Sequence, residues 1–223
     1  MEENVKKQGF TLVEVLTAIT VMAILTGLAG PPIMGMLKRS RVEDSASAMH
    51  ETIKSAQVEA QKRGDVEVVS GLVRKRKVYV AVYPADMVST GNPPNTIRAL
   101  SWTDVNNDNL KTTAEFTVLQ ETSLGKASFS LPASVTKKAC NNSAGAPASS
   151  IVNFTATTCP PNSVTYFPDG TRCIKLNGKG FNESMNNDTA YITGNGETFA
   201  VTVNPAGLTA LCRWDGTNWI NVR

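Results

Sequence analysis

One histidine, His50, is all that 223 residues offer to acid–base or metal chemistry of that type, and no H-E-x-x-H, phosphate-cradling glycine loop or other catalytic signature occurs. A Ser-His-Asp site would have to use His50, which falls on a helix-patterned stretch and reads as a solvated or boundary residue. No enzyme activity and no cofactor are expected. Charge is also sparse, at 18% of residues, and a formal net charge of +3 is too small to imply nucleic-acid or anionic-membrane binding by itself. The four cysteines, Cys140, Cys159, Cys173 and Cys212, contain no C-x-x-C, so a zinc site lacks its paired spacing. Two disulfides are expected instead, which places the C-terminal half in an oxidising compartment. Three connectivities are open. The pairing favoured here is Cys140–Cys159 with Cys173–Cys212.

What is present in quantity is one apolar run. From Phe10 to Leu37 the only charged residue is Glu14. At about 1.5 Å per residue the run is ample to cross a hydrocarbon core roughly 30 Å thick. It is longer than the apolar core of a cleaved secretory signal, about 7–15 residues. Lys6 and Lys7 precede it, while Lys38, Arg39 and Arg41 follow, so the positive-inside rule does not orient it. The disulfides do, by putting the C-terminal half outside the cytoplasm. A carboxylate in hydrocarbon is costly unless protonated or paired. Glu14 would find a cation in the free α-amino group of a neighbouring chain, and cleavage before Phe10 would create one.

Lys6-Lys7-Gln8-Gly9 followed by Phe10-Thr11-Leu12-Val13-Glu14 resembles the class III signal of type IV pilins and type II secretion pseudopilins. The resemblance implies cleavage by a prepilin peptidase between Gly9 and Phe10, N-methylation of Phe10, and an assembly role for Glu14 in pairing with a neighbouring subunit's N-terminus. It implies partners of the same kind, other pilins or pseudopilins and an inner-membrane assembly platform. It also implies a single-pass precursor in the bacterial inner membrane, head in the periplasm, that ends in a pilus or pseudopilus filament. Pro31-Pro32 falls where pilins bend or melt their helix, and proline removes one helical hydrogen bond in any case.

Beyond it, Val42, Ala46, Met49, Ile53, Ala56 and Ala60 recur at steps of four and three, one stripe of an amphipathic helix that ends at Gly64. Past Gly64 short alternating runs predict strands at Leu72–Tyr83, Glu115–Gln120, Ala127–Leu131, Ile151–Thr155 and Ser163–Phe167. Others are expected at Thr171–Leu176, Tyr191–Thr193, Thr198–Val203, Leu208–Trp214 and Trp219–Val222. Pro168-Asp169-Gly170 and Pro205-Ala206-Gly207 read as hairpin turns, and 141–150 and 180–188 as surface loops. The fold class is α+β, a long N-terminal helix (transmembrane half, then amphipathic half) packed on an antiparallel β-sheet head, as in the pilin fold. The organisation is a leader at 1–9, a transmembrane and filament-core helix at 10–37, an amphipathic helix at 38–64 and a disulfide-bonded head at 65–223. The turn order near the C-terminus and the helix end "SAQVEAQKRG" resemble the GspH/FimT-like branch of minor pilins.

Two head features carry chemistry. Asp104, Asn106 and Asp108 place oxygens on alternate residues, as calcium loops do, although the EF-hand frame fails because Asn109 stands where glycine is needed. Arg74-Lys75-Arg76-Lys77 is the densest basic run, with Arg98 able to join it. Phosphate contact would use it, and a charged edge strand would look the same. On a strand, Lys75 and Lys77 share one face and Arg74 and Arg76 the other. The reading is a minor type IV pilin that initiates or caps assembly. The alternatives are an H-type pseudopilin of a type II secretion system and a pilus-associated DNA-uptake receptor or adhesin.

Overall fold

The computed structural model describes residues 10–84, 93–141, 154, 159–160, 166–168, 171–184 and 187–222, the side chains of 28–33 and 38 excepted. The chain divides into two units, Met1–Lys38 and Arg39–Arg223.

A single helix, α1 (Leu12–Arg63), starts in the first unit. There its described apolar side chains are exposed all round. The hydroxyls of Thr17, Thr20 and Thr26 donate to the carbonyls four residues back, Val13, Leu16 and Met22, at 2.7–3.0 Å. These three hydroxyls are thus satisfied within the helix. Among the described residues no helix is long and apolar enough to cross a membrane. The continuously described side chains of the apolar run stop at Gly27. Helical assignment continues through Pro31 and Pro32. Each proline removes one N–H from the ladder and, in a helix interior, crowds the preceding turn.

In the second unit, α1 carries the expected stripe. Val42, Ala46, Met49, Ile53, Ala56 and Ala60 are all buried. Gly64, at φ +65°, takes the left-handed position past the last turn and donates its N–H to the Ala60 carbonyl at 2.9 Å.

Among the described residues ten strands follow, all antiparallel in their pairings. β1 (Val66–Val69) and β2 (Leu72–Tyr83) form a hairpin through Ser70-Gly71, where both residues have positive φ. β2 pairs from Arg76 to Tyr83 with β3 (Thr96–Thr103), β3 with β4 (Phe116–Ser123), and β6 (Arg172–Leu176) returns to β2. The second sheet runs β10-β9-β8-β7-β5: β5 (Ser128–Phe129), β7 (Asp188–Gly194), β8 (Glu197–Val203), β9 (Thr209–Trp214) and β10 (Trp219–Asn221). The Pro205–Gly207 turn closes between β8 and β9, with Gly207 donating to Asn204 at 2.9 Å.

The helical stripe packs against both sheets at once, with Val78, Val80, Val82 and Ile174 from the first and Ile192, Phe199, Val201 and Leu211 from the second. The outer face of each sheet is buried too. On the first, Tyr79, Tyr83, Trp102 and Phe116 gather under Phe167, and on the second, Tyr191, Trp214 and Trp219 gather with Val135. One disulfide fastens a covering segment onto each outer face: Cys159–Cys173 on the first sheet (Cα–Cα 5.2 Å) and Cys140–Cys212 on the second (5.4 Å). The favoured pairing is therefore corrected. Cys173 belongs to β6 and Cys212 to β9, in the aromatic clusters of different sheets, whereas bridged Cα atoms must approach within about 7 Å.

Two expected strands, 151–155 and 163–167, lie outside the described residues apart from isolated positions, as does the loop at 142–150. β1 and β3 were not expected. β3 is buried on both faces, and its Arg98 and Ser101 break the alternation that marks a half-exposed strand.

Candidate functional site

The N-terminal site is built by one local motif. Thr11 precedes the first helical residue and Glu14 is the third, the T-x-x-E spacing of a capping box. The Thr11 N–H and the Thr11 hydroxyl both donate to Glu14 Oε2 at 2.9 Å, and the Glu14 N–H donates back to Thr11 Oγ1 at 3.3 Å. Glu14 Oε1 has no partner among the described residues. The carboxylate therefore fastens the helix start with one oxygen and presents the other outward. Phe10, beside it, is 87% exposed. Gly9 lies outside the described residues. The capping role was legible in the spacing Thr11-x-x-Glu14, a signal that a reading for charge alone passes over.

In the head, the basic run divides by strand alternation. Arg76 pairs with Glu67 of the β1 edge, and Arg74 is placed on the same side. Lys75 and Lys77 point to the outer face of the first sheet. Lys77 bonds to Asp65 and Glu183, both at 2.6 Å, and Lys175 joins Glu183 at 2.5 Å. Partial burial would raise Asp65 and Glu183. The hydrogen bonds and charge of Lys77, with Lys175, outweigh it and hold both carboxyls below their ordinary values. Burial would likewise lower Lys77, but its two carboxylates raise it. Arg98 does not join the run. It sits opposite Ala81, bonds Glu121 Oε2 at 2.6 Å and lies 5.4 Å from the Tyr83 ring centroid.

Of the alternating oxygens at 104–108, Asp104 and Asp108 come together, and the third member is Glu115 rather than Asn106. Their carboxylate oxygens lie within 4.8 Å of one another, close enough to share a cation. N–H donors engage every one of those carboxylates. Asp104, fully buried, accepts from the Asp108 and Asn109 amides, both at 3.1 Å. Glu115 accepts from the amides of Val105 and Thr112 and from the Trp102 indole. Asp108 accepts from Leu110 N–H and from the Asn106 carboxamide. The cluster ties its own loop together.

His50 is buried rather than solvated or at a boundary, with its Nε2 3.1 Å from Thr209 Oγ1. The helix packs on two sheets, so its buried face is wider than one stripe and takes in position 50.

Residues 4–30 match the family model for the prokaryotic N-terminal methylation motif, the class III signal typical of type IV pilins and pseudopilins. The match covers the N-terminal segment and leaves the head unassigned. No curated protein and no solved structure matches the chain.

Proposed function

We propose that the chain is a minor type IV pilin of the GspH/FimT-like branch. A prepilin peptidase cuts between Gly9 and Phe10, Phe10 is N-methylated, and the subunit takes part in starting or capping a filament. Carrying this reading is the coincidence of the methylation motif at 4–30 with a helix that starts at Leu12, capped by Glu14, and leads into an antiparallel head. The run Phe10–Leu37 serves as inner-membrane anchor before assembly, an assignment that rests on the sequence.

In the filament, the Glu14 carboxylate meets the methylated N-terminus of a neighbour inside an apolar core, where an unpaired charge is costly. Membrane and filament partners are other pilins, the peptidase and the assembly platform.

The test is made in cells. Gly9 replaced by a bulky residue should leave the precursor uncleaved by mass spectrometry. Glu14→Ala should be cleaved and folded yet largely missing from the sheared filament fraction. Normal incorporation of Glu14→Ala would sink the pairing role. Deleting the gene and quantifying surface pili separates the machines, since unchanged pili with failed protein secretion would move the assignment to an H-type pseudopilin.

A further inference from the structure

A groove of about 470 Å³ opens on the outer face of the first sheet. Strand register builds its floor. Lys75, Lys77 and Tyr79 alternate along β2, and the ladders set Val66 beside Lys75, Trp102 beside Lys77 and Lys175 beside Tyr79. Asp65 and the loop residues Asn109 and Lys111 form its walls.

Four ammonium groups thus face one groove, and only two are matched by carboxylates. Lys77 and Lys175 are held by Asp65 and Glu183. Lys75 donates to the neutral carboxamide of Asn109, and Lys111 lies 5.2 Å from the Trp102 ring centroid. Neither Lys75 nor Lys111 forms an ion pair among the described residues. The groove therefore has two cations to offer an anionic ligand, Lys75 exposed and Lys111 half-buried.

The chemistry around those cations narrows the ligand. Single-stranded nucleic acid needs open ring faces for its bases. Trp102 and Tyr79 are only 4% and 1% exposed, and Trp102 already carries Lys111. Arg74 and Arg76, whose planar forks suit phosphate, are on the opposite side of β2. The same register continues the groove face into an apolar strip: Val68 pairs with Val73 and Val66 with Lys75, so Val66, Val68 and Val73 stand on one face, each more than half exposed. β1 is an edge strand four residues long, with one ladder partner.

We propose that this groove binds an acidic peptide segment of a partner protein, its carboxylates on Lys75 and Lys111 and, farther along the same face of the segment, its apolar side chains on Val66, Val68 and Val73. Residues two apart on an extended segment share one face, as Val73 and Lys75 do along β2, so a segment with acidic and then apolar residues at every second position meets both features. The inference stands on the head alone and holds or fails separately from the filament reading.

The test uses the full chain in detergent and fluorescence anisotropy, with a labelled peptide carrying glutamates and then valines at every second position and serine between them, and an oligothymidine of equal charge as competitor. The peptide should bind saturably and more weakly as salt rises. Lys75→Gln with Lys111→Gln should weaken it about tenfold, and Lys75→Arg with Lys111→Arg should retain most of the affinity. Val68→Ser should weaken it without changing the salt slope. All these side chains are at or near the surface, and near-ultraviolet circular dichroism checks that each variant keeps its packed aromatic clusters. No binding by the unaltered chain, unchanged binding by the double glutamine variant, or tighter binding of the oligothymidine would each overturn the proposal.

Discussion

Asp104 and Glu115 are buried carboxylates that N–H groups hold, and each closes the 104–115 loop from one end. Changing Asp104 to Asn turns one acceptor oxygen into an NH₂ that faces a backbone donor, with no water to take its place. Asp104→Asn should therefore cost about 1–3 kcal/mol, read as a lower melting temperature of the full chain. An unchanged melting temperature would mean that the loop contributes nothing to the fold it caps. The contrast with Glu14 shows which residue roles a sequence displays. Glu14 bonds its own helix start three residues away, so its spacing alone identifies the cap. Glu115 likewise takes the Thr112 N–H in a T-x-x-E spacing, but its other backbone contact, an amide ten residues upstream across an irregular loop, is recorded by no local pattern.

At the scale of elements, the amphipathic half of α1 and eight of the ten described strands follow from the sequence pattern, because each keeps an apolar face, even where, as in β2 and β8, the other face is buried too. β3 escapes for the opposite reason: with the helix on one face and aromatic rings on the other, its polar Arg98 and Ser101 are paired inside the structure and erase the alternation. Disulfide pairing is invisible for a related reason, since it depends on which sheet each cysteine joins. The two bridges differ in the loops they close, with sequence separations of 72 for Cys140–Cys212 and 14 for Cys159–Cys173. The longer loop restricts the unfolded chain more. Replacing Cys140 and Cys212 by serine should then cost about 1.5 kcal/mol more than the same change at Cys159 and Cys173, measured by denaturant unfolding. Equal losses would show that fastening the covering segments, rather than loop closure, sets the contribution of both.

Across the whole molecule, the division into two sheets was not legible, because β2 finds β6 about a hundred residues later and nothing local announces it. That pairing brings Lys175 beside Lys77 and, with Asp65 at the helix exit and Glu183 beyond β6, forms a four-charge network joining segments distant in sequence. Its titration is a global property of the folded head. Asp65 and Glu183 have folded pKa values below their ordinary ones, so the unfolded chain binds protons more readily and acid favours it. Their contribution is complete above the unfolded carboxylate range, near pH 4–5, and fades as pH falls through the lower folded values. Lys77 is shifted up, so its contribution is complete below its ordinary value and is lost only as pH rises above it. Between these limits the network is fully charged and stability should be level. Asp65 is half exposed, which limits its contribution, and Glu183, bonded to two lysines, is the better probe. Glu183→Gln should lower stability at pH 7 by about 1 kcal/mol, and the gap from the unaltered chain should narrow as pH falls below the ordinary carboxylate range. Thermal unfolding of the two chains across pH 7 to 3 decides it. Parallel curves down to pH 3 would mean that Glu183 acts through packing rather than charge, and that the network does not couple the helix exit to the sheet.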